Sequence, residues 1–309
     1  MNAPQNPAAG SPASGPVLMK RATYAAVAVA LALVLMKAGA FWLTGSVAML
    51  GTLLDSLLDG TASLVNLFAV RFALEPADRD HRFGHGKAEA LAGLGQSVFI
   101  FISAGYITYE SASRLIAPEP LSRSLIGIAV TVVAIALTLA LVAYQRKVVR
   151  ETNSLAIEAD SIHYRGDLLM NLSVIAALLL SGVFGLTWAD PIFGFVIAGF
   201  IAWSALQIVR NAGDQLMDKE MSEEDRDRIK QVVAAHEEAI DMHDLRTRMS
   251  GANLFIQFHL ELDGSLSLMK AHRITDDIEK EIEALFPGSE VLIHQDPAGL
   301  ERVPKLLRT

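Results

Sequence analysis

Asp55 and Asp59 stand four residues apart in LLDSLLDG, inside a run from Ser46 to Val70 whose other hydrogen-bonding side chains are small hydroxyls and one amide. His163 and Asp167, again four apart, stand in HYRGD. On a helix that spacing puts each pair on one face. Two such faces turned toward each other supply three carboxylates and one imidazole, a tetrahedral N/O donor set suited to Zn²⁺. A purely structural role suits these acids poorly, because each charge at mid-depth in a bilayer costs about 2.5 to 3.5 kcal/mol even on the mildest scale. Three carboxylates held together repel one another, so an entering metal must displace protons from them.

Two further groups have ligand chemistry. EPADRDHRFGHGKAE carries Asp78, His81 and His85 at spacings of three and four, and Pro76, Gly84 and Gly86 let the backbone wrap around one cation. Short histidine-rich tracts also occur as plain solvated loops, so this group reads either way. The third group lies beyond residue 213, where five of the eight histidines fall. LFIQFHLEL alternates, with Leu254, Ile256, Phe258, Leu260 and Leu262 on one face and His259 on the polar one. His294 and Asp296 project together from a second strand, His243 begins another, and His272 sits on a helix. Those five residues form one candidate metal site drawn from four elements, while His236 has no such company and reads as surface.

The elements that must carry these residues follow from composition. The chain has 309 residues, 52% hydrophobic and 19% charged. From Asn211 onward 12 Lys and Arg stand against 21 Asp and Glu, a net of −9, whereas residues 1–210 carry 14 against 13. That asymmetry implies a membrane domain followed by an acidic, water-exposed one, and the acidity without a basic patch excludes nucleic acid as a partner. With no cysteine, disulfides and thiolate sites are excluded, and a metal must be held by imidazole and carboxylate.

Residues 1–19, with four prolines among small residues, are expected to form a flexible tail. Ala38, Gly39 and Ala40 imitate a signal-peptide cleavage site, but Lys37 interrupts the approach and further apolar segments follow at once. Six stretches, near 22–43, 46–71, 88–114, 122–145, 155–184 and 188–210, reach the roughly 20 residues a bilayer crossing takes. Lys20, Arg21, Arg79, Arg82, Lys87, Arg146, Lys147 and Arg150 fall at one side, against Arg114 and Arg123 at the other, which places both termini in the cytoplasm. Beyond the spans the periodicity predicts αββαβ: a helix from SEEDRDRIKQVVAAH, strands at HDLRTRM and LFIQFHLEL, a helix near 268–285 ending before Pro287, and a strand at EVLIHQD. The expected division is thus a tail at 1–19, a six-helix membrane domain at 20–212, a metal-binding domain at 213–298 and a C-terminal tail at 299–309.

GSVAMLGTLLDSLLD, PADRDHRFGHGKAE, EADSIHYRGD, HDLRTRMSG, FIQFHLELD and IHQDP, in that order, resemble the signatures of the cation diffusion facilitator family, in its branch of bacterial zinc and ferrous-iron efflux proteins. The resemblance runs from about residue 20 to 298. It implies a transport site at Asp55, Asp59, His163 and Asp167, a loop site at Asp78, His81 and His85, and a binuclear cytoplasmic site at His243, His259, His272, His294 and Asp296, with Gln295 beside it. It further implies a homodimer with a ferredoxin-like cytoplasmic domain that exchanges a divalent metal for protons across the inner membrane, with no enzymatic activity and no organic cofactor. Zn²⁺ is the expected cargo, although Fe²⁺, Cd²⁺, Co²⁺ and Mn²⁺ also suit such donors. The departures are the proline-rich tail and Arg165, which stands two residues from both His163 and Asp167 and can alter the field there. An intramembrane metalloprotease is disfavoured because no span carries H-E-x-x-H. A membrane-anchored metal sensor or scaffold is the other reading, but it has no use for mid-depth carboxylates.

Overall fold

The computed structural model describes residues 14–44, 47–116, 125–184 and 188–299. Six long helices come first: α1 (Ser14–Thr44), α2 (Val47–Ala73), α3 (Lys87–Ile116), α4 (Leu125–Thr152), α5 (Leu155–Phe184) and α6 (Ala189–Leu216). Each matches one of the six expected stretches and, at 1.5 Å per residue, measures roughly 40 Å or more. Among the described residues five are long and apolar enough to cross a membrane, and α5 is the exception. Its sequence explains why, since Glu158, Asp160, His163, Arg165 and Asp167 all fall within it. Such a helix is compatible with a bilayer only if its polar face is enclosed, and α5 touches each of the other five helices. Large apolar side chains such as Leu31, Leu35, Phe68, Ile102, Val196 and Trp203 point outward instead, as a hydrocarbon surrounding requires.

Helix α1 begins inside the stretch expected to be a flexible tail. Residues 14–19 form its first turns, and Met19 is buried against Val70, Val148 and Ile157. Pro16 does not prevent this, because a first turn has no intrahelical partner for the missing N–H. Residues 1–13 and 300–309, which hold the rest of both expected tails, lie outside the described residues. At its other end α6 runs to Leu216, past the expected boundary at 212.

The remaining elements are α7 (Glu223–Ala235), β1 (Asp241–Ser250), β2 (Asn253–Leu262), α8 (Leu268–Leu285) and β3 (Ser289–Pro297), in the predicted αββαβ order. Ser222 caps α7 by accepting from the backbone N–H of Asp225, and Glu223, Glu224 and Asp225 complement the helix N-terminus. Ser267 does the same for α8 through Lys270 N–H. The sheet order is β1-β2-β3, with β1 antiparallel and β3 parallel to β2. One core joins Ile229 and Val233 of α7 and Ile274, Ile278 and Ile282 of α8 to Ile256, Phe258, Leu260 and Val291 of the sheet. Both helices therefore cover the apolar face, and the face bearing His259 is left open to other uses.

The membrane and cytoplasmic parts meet at a tight joint. A Cβ on Gly86 would lie 2.1 Å from the carbonyl oxygen of Ser250, so the loop before α3 approaches the β1–β2 turn more closely than any side chain allows. Lys87 Nζ bonds Asp218 at 2.8 Å, and Gln215 donates to the Gly251 carbonyl at 3.2 Å. Arg248 lies over both Phe83 and Phe255, whose rings meet edge to face at 5.6 Å. Phe255 is consequently buried on the otherwise polar face of β2, because the membrane-side loop covers it.

Candidate metal sites

The fold brings α2 and α5 together so that His163 Nε2 lies 3.0 Å from Asp59 Oδ1 and 3.9 Å from Asp167 Oδ2. Donor atoms of these three residues all lie within 4.8 Å of one another. The imidazole is buried and the two carboxylates are partly open, so the cluster has one shielded side and one accessible side. Asp55, one turn earlier on α2, is exposed and its carboxylate is not part of that compact group.

Three features hold this site in place. Glu89 of α3 is buried beside Ser154, Ala156 and Leu155 at the start of α5, where helix N–H groups lack intrahelical partners. Asp160, one turn before His163, is fully buried: Gln145 of α4 donates to its Oδ2 at 2.7 Å and Ser63 of α2 donates to its Oδ1 at 3.4 Å. Tyr164 joins the same network through Ser63 at 2.8 Å. Lys37 of α1 donates to Ser56 Oγ at 2.6 Å and to the Thr52 carbonyl at 3.1 Å on α2. Reading the sequence for ligands passed over all of these residues. Asp160 carried a usable signal, since it stands three residues before His163 and shares its face. Arg165, two residues from each of His163 and Asp167 and so turned to the other side of α5, has Arg146 and Glu158 as the charges acting on it. Lys37 is among the charges that act on Asp167, after His163 and Asp59.

In the loop, Asp78 Oδ1 lies 3.5 Å from His81 Nδ1, Asp78 Oδ2 lies 3.4 Å from His85 Nε2, and the two imidazole nitrogens are 3.1 Å apart. Backbone N–H groups of His81 and Asp80 both donate to the Asp78 carboxylate. The first of them leads in holding this exposed carboxyl below its ordinary range, so Asp78 is ionised and ready to bind a cation. The His85 ring is buried against Phe72, with Nδ1 3.4 Å from the Glu75 carbonyl. An Nδ1–H donated there leaves Nε2 as the metal-facing lone pair. Gly84, at φ 75°, makes the turn that closes the loop.

The cytoplasmic cluster lies on the open face of the sheet. His243, His259 and His294 form one cross-strand row, His243 paired with His259 and His259 with His294. Asp296 Oδ2 is 2.7 Å from His259 Nδ1 and 3.8 Å from His243 Nε2, and Asp296 Oδ1 is 3.2 Å from His294 Nε2. A register shift between His243 and Arg246, with Asp244 at φ 50°, twists the edge strand there. Glu261, whose Oε1 is 3.5 Å from His243 Nδ1, adds a carboxylate that the search for histidines missed, although its place two residues after His259 puts it on the same face. His272 is not brought in: α8 packs on the opposite face, and its imidazole faces Asp276 at 3.4 Å. His236 caps the C-terminus of α7.

Imidazole–carboxylate clusters stand at these three places, one of them on facing bundle helices, and each has donors that could hold a metal ion. Residues 23–217 match the cation efflux transmembrane domain, and residues 221–298 match the cytoplasmic domain of cation efflux proteins. The chain belongs to the cation efflux family. It is 46% identical over 283 residues to the cation-efflux pump FieF of Shewanella oneidensis, covering 92% of this chain and 95% of that one. Against the cation-efflux pump FieF of Cronobacter sakazakii it is 47% identical, covering 92% and 94%. These relatives are transporters, not enzymes. Among solved structures it is similar to the metal-bound C-terminal domain of the CzcD transporter from Thermotoga maritima, with 31% identity, 26% of this chain and all of that one covered, and a TM-score of 0.25.

Proposed function

We propose that this chain is a proton-coupled divalent cation exporter of the bacterial inner membrane, with Zn²⁺ as its main cargo. It works as a homodimer with both termini in the cytoplasm, by alternating access around one site per protomer. The observation that carries this reading is His163 Nε2 set between Asp59 and Asp167 across two helices of the bundle. Asp55 completes a tetrahedral set by turning its side chain along α2 toward the others. Metal entering from the cytoplasm displaces protons from these groups, and protons from outside later displace the metal. One imidazole among three carboxylates favours Zn²⁺ over harder cations without excluding Fe²⁺, Co²⁺, Cd²⁺ or Mn²⁺.

The loop group Asp78, His81 and His85 binds a second cation beside the joint, and the cytoplasmic histidines with Asp296 bind regulatory metal, His272 joining them only if α8 shifts. Two cytoplasmic regions of net −9 repel in a dimer, and metal bound on their sheets offsets part of that repulsion. The test is purified protein in proteoliposomes with an imposed pH gradient, offered Zn²⁺, Fe²⁺, Co²⁺, Cd²⁺ and Mn²⁺ in turn. Zn²⁺ movement that follows the gradient and reverses with it supports the exchange. Metal movement indifferent to the gradient removes the proton coupling, and no movement of any metal leaves a sensor or scaffold.

A further inference from the structure

Lys37 is a cation placed where cations are costly. It sits in the interior of α1, and its ammonium is tied to α2 by Ser56 Oγ at 2.6 Å and the Thr52 carbonyl at 3.1 Å. Thr52, Ser56 and Asp59 follow one another at spacings of four and three, so the ammonium is fixed on the stripe of α2 that leads to Asp59, about one turn away. Neither of its hydrogen-bond partners is an acid. The charges that act on it are those of Asp59, Asp167 and Asp55, the same three carboxylates assigned to the cargo. Such a charge inside a membrane segment is not needed to hold α1 to α2, for which a serine or threonine suffices.

Given the reading of Asp55, Asp59, His163 and Asp167 as the transport site, we propose that Lys37 is a fixed counter-charge that matches this site to a divalent cargo. With three ionised carboxylates, a neutral imidazole and one ammonium, the four ligands and Lys37 together are neutral once a dication is bound, Asp160 being held separately by Gln145 and Ser63. A monovalent cation leaves this set negative and a trivalent one leaves it positive, and a net charge is what a low-dielectric bundle penalises. Remove the ammonium and the same dication is held by one uncompensated negative charge. It then binds more tightly and leaves less readily. Lys37 is in this sense a positioning and selectivity residue: it touches no ligand and acts through the field that the ligands feel.

The experiment uses full-length protein whose loop and cytoplasmic sites are disabled by His81→Ala and His259→Ala, so that Zn²⁺ titration reports the bundle site. An Asp167→Ala variant on that background establishes that the titrated site is the one described; if Zn²⁺ binding survives it unchanged, the reading of the site fails and Lys37 is not at issue. If binding is lost, Lys37→Met and Lys37→Gln are each expected to tighten Zn²⁺ binding by roughly tenfold or more. Both should lower maximal flux, a split between binding and turnover that loosened packing does not produce. Lys37→Arg keeps the charge and is expected to restore wild-type affinity. Ser56→Ala keeps the charge and loses one anchor, and is expected to leave affinity within about twofold. Wild-type affinity in both neutral variants overturns the proposal, as does Ser56→Ala reproducing their effect or Lys37→Arg failing to rescue. If one neutral variant does not fold, the other decides.

Discussion

In the helix bundle one imidazole, His163, meets Asp59 and Asp167 across two helices that share no backbone hydrogen bonds. On the cytoplasmic sheet three imidazoles stand in a row on strands that are hydrogen-bonded to each other in register. The donor chemistry is similar and the mechanics are not. A slide or tilt of α5 against α2 changes every distance in the first cluster at once, so that site is tied to the conformation of the bundle. The second cluster is set on a hydrogen-bonded ladder whose strands keep its distances fixed, which suits the regulatory role proposed for it. Charge separates them too: the bundle site has Lys37 nearby, whereas the cytoplasmic row has further acid in Glu261.

The largest effect expected from this contrast is loss of transport when a bundle ligand is removed. His163→Ala and Asp167→Ala should each reduce metal flux in proteoliposomes by about a hundredfold or more, since losing one of so few ligands costs at least as much as losing an outer-shell partner. Both proteins should remain folded in the membrane, because neither residue belongs to the Asp160–Gln145–Ser63–Tyr164 network that ties α2, α4 and α5. Wild-type flux in a folded Asp167→Ala preparation would mean that cargo crosses elsewhere.

The joint between the two regions offers the next largest effect. Gly86→Ala introduces a Cβ 2.1 Å from a backbone carbonyl oxygen, and backbone cannot step aside as a flexible side chain does. The expected cost is about 1 to 3 kcal/mol, read as a lowered melting temperature of the detergent-solubilised protein, with flux reduced although both clusters keep their residues. A melting temperature and flux equal to wild type would show that the loop and the β1–β2 turn do not need this approach, and that the two regions work uncoupled.

Most of the architecture was legible in the chain because its two periodicities are clean. Five long apolar stretches, a strand alternating through Leu254, Ile256, Phe258, Leu260 and Leu262, and serine caps ahead of α7 and α8 each have one simple physical reading. The compact ligand groups were legible for a similar reason, since i, i+4 pairs and alternate strand positions fix which side chains share a face. What escaped depends on contacts between elements. Phe255 lies on the polar face of β2 and is buried only because Phe83 and Arg248 arrive from elsewhere. Lys37 looked like an obstacle to signal cleavage, and its relation to Asp59 needs the packing of α1 on α2. His272 shares its chemistry with the cytoplasmic row but not its face, which composition does not reveal.

The smallest expected change in flux comes from the cytoplasmic row, and it tests whether rigid and mobile sites divide the labour as described. His259 is the middle of that row, with Asp296 at 2.7 Å and the rings of His243 and His294 at 5.1 and 4.7 Å. His259→Ala removes the residue that all the others face, so metal should leave this site while the bundle ligands stay intact. The metal concentration giving half-maximal flux is expected to rise by about tenfold, with maximal flux falling less than about threefold. His236→Ala serves as the comparison, because its backbone N–H ends α7 and its imidazole faces the Glu238 N–H rather than the row, so its loss should leave the metal dependence unchanged. A measurement of flux against free Zn²⁺ for the three proteins separates the cases. If His259→Ala lowers maximal flux as severely as Asp167→Ala, the cytoplasmic row lies on the route of the cargo, and a rigid ladder of strands is no bar to carrying it.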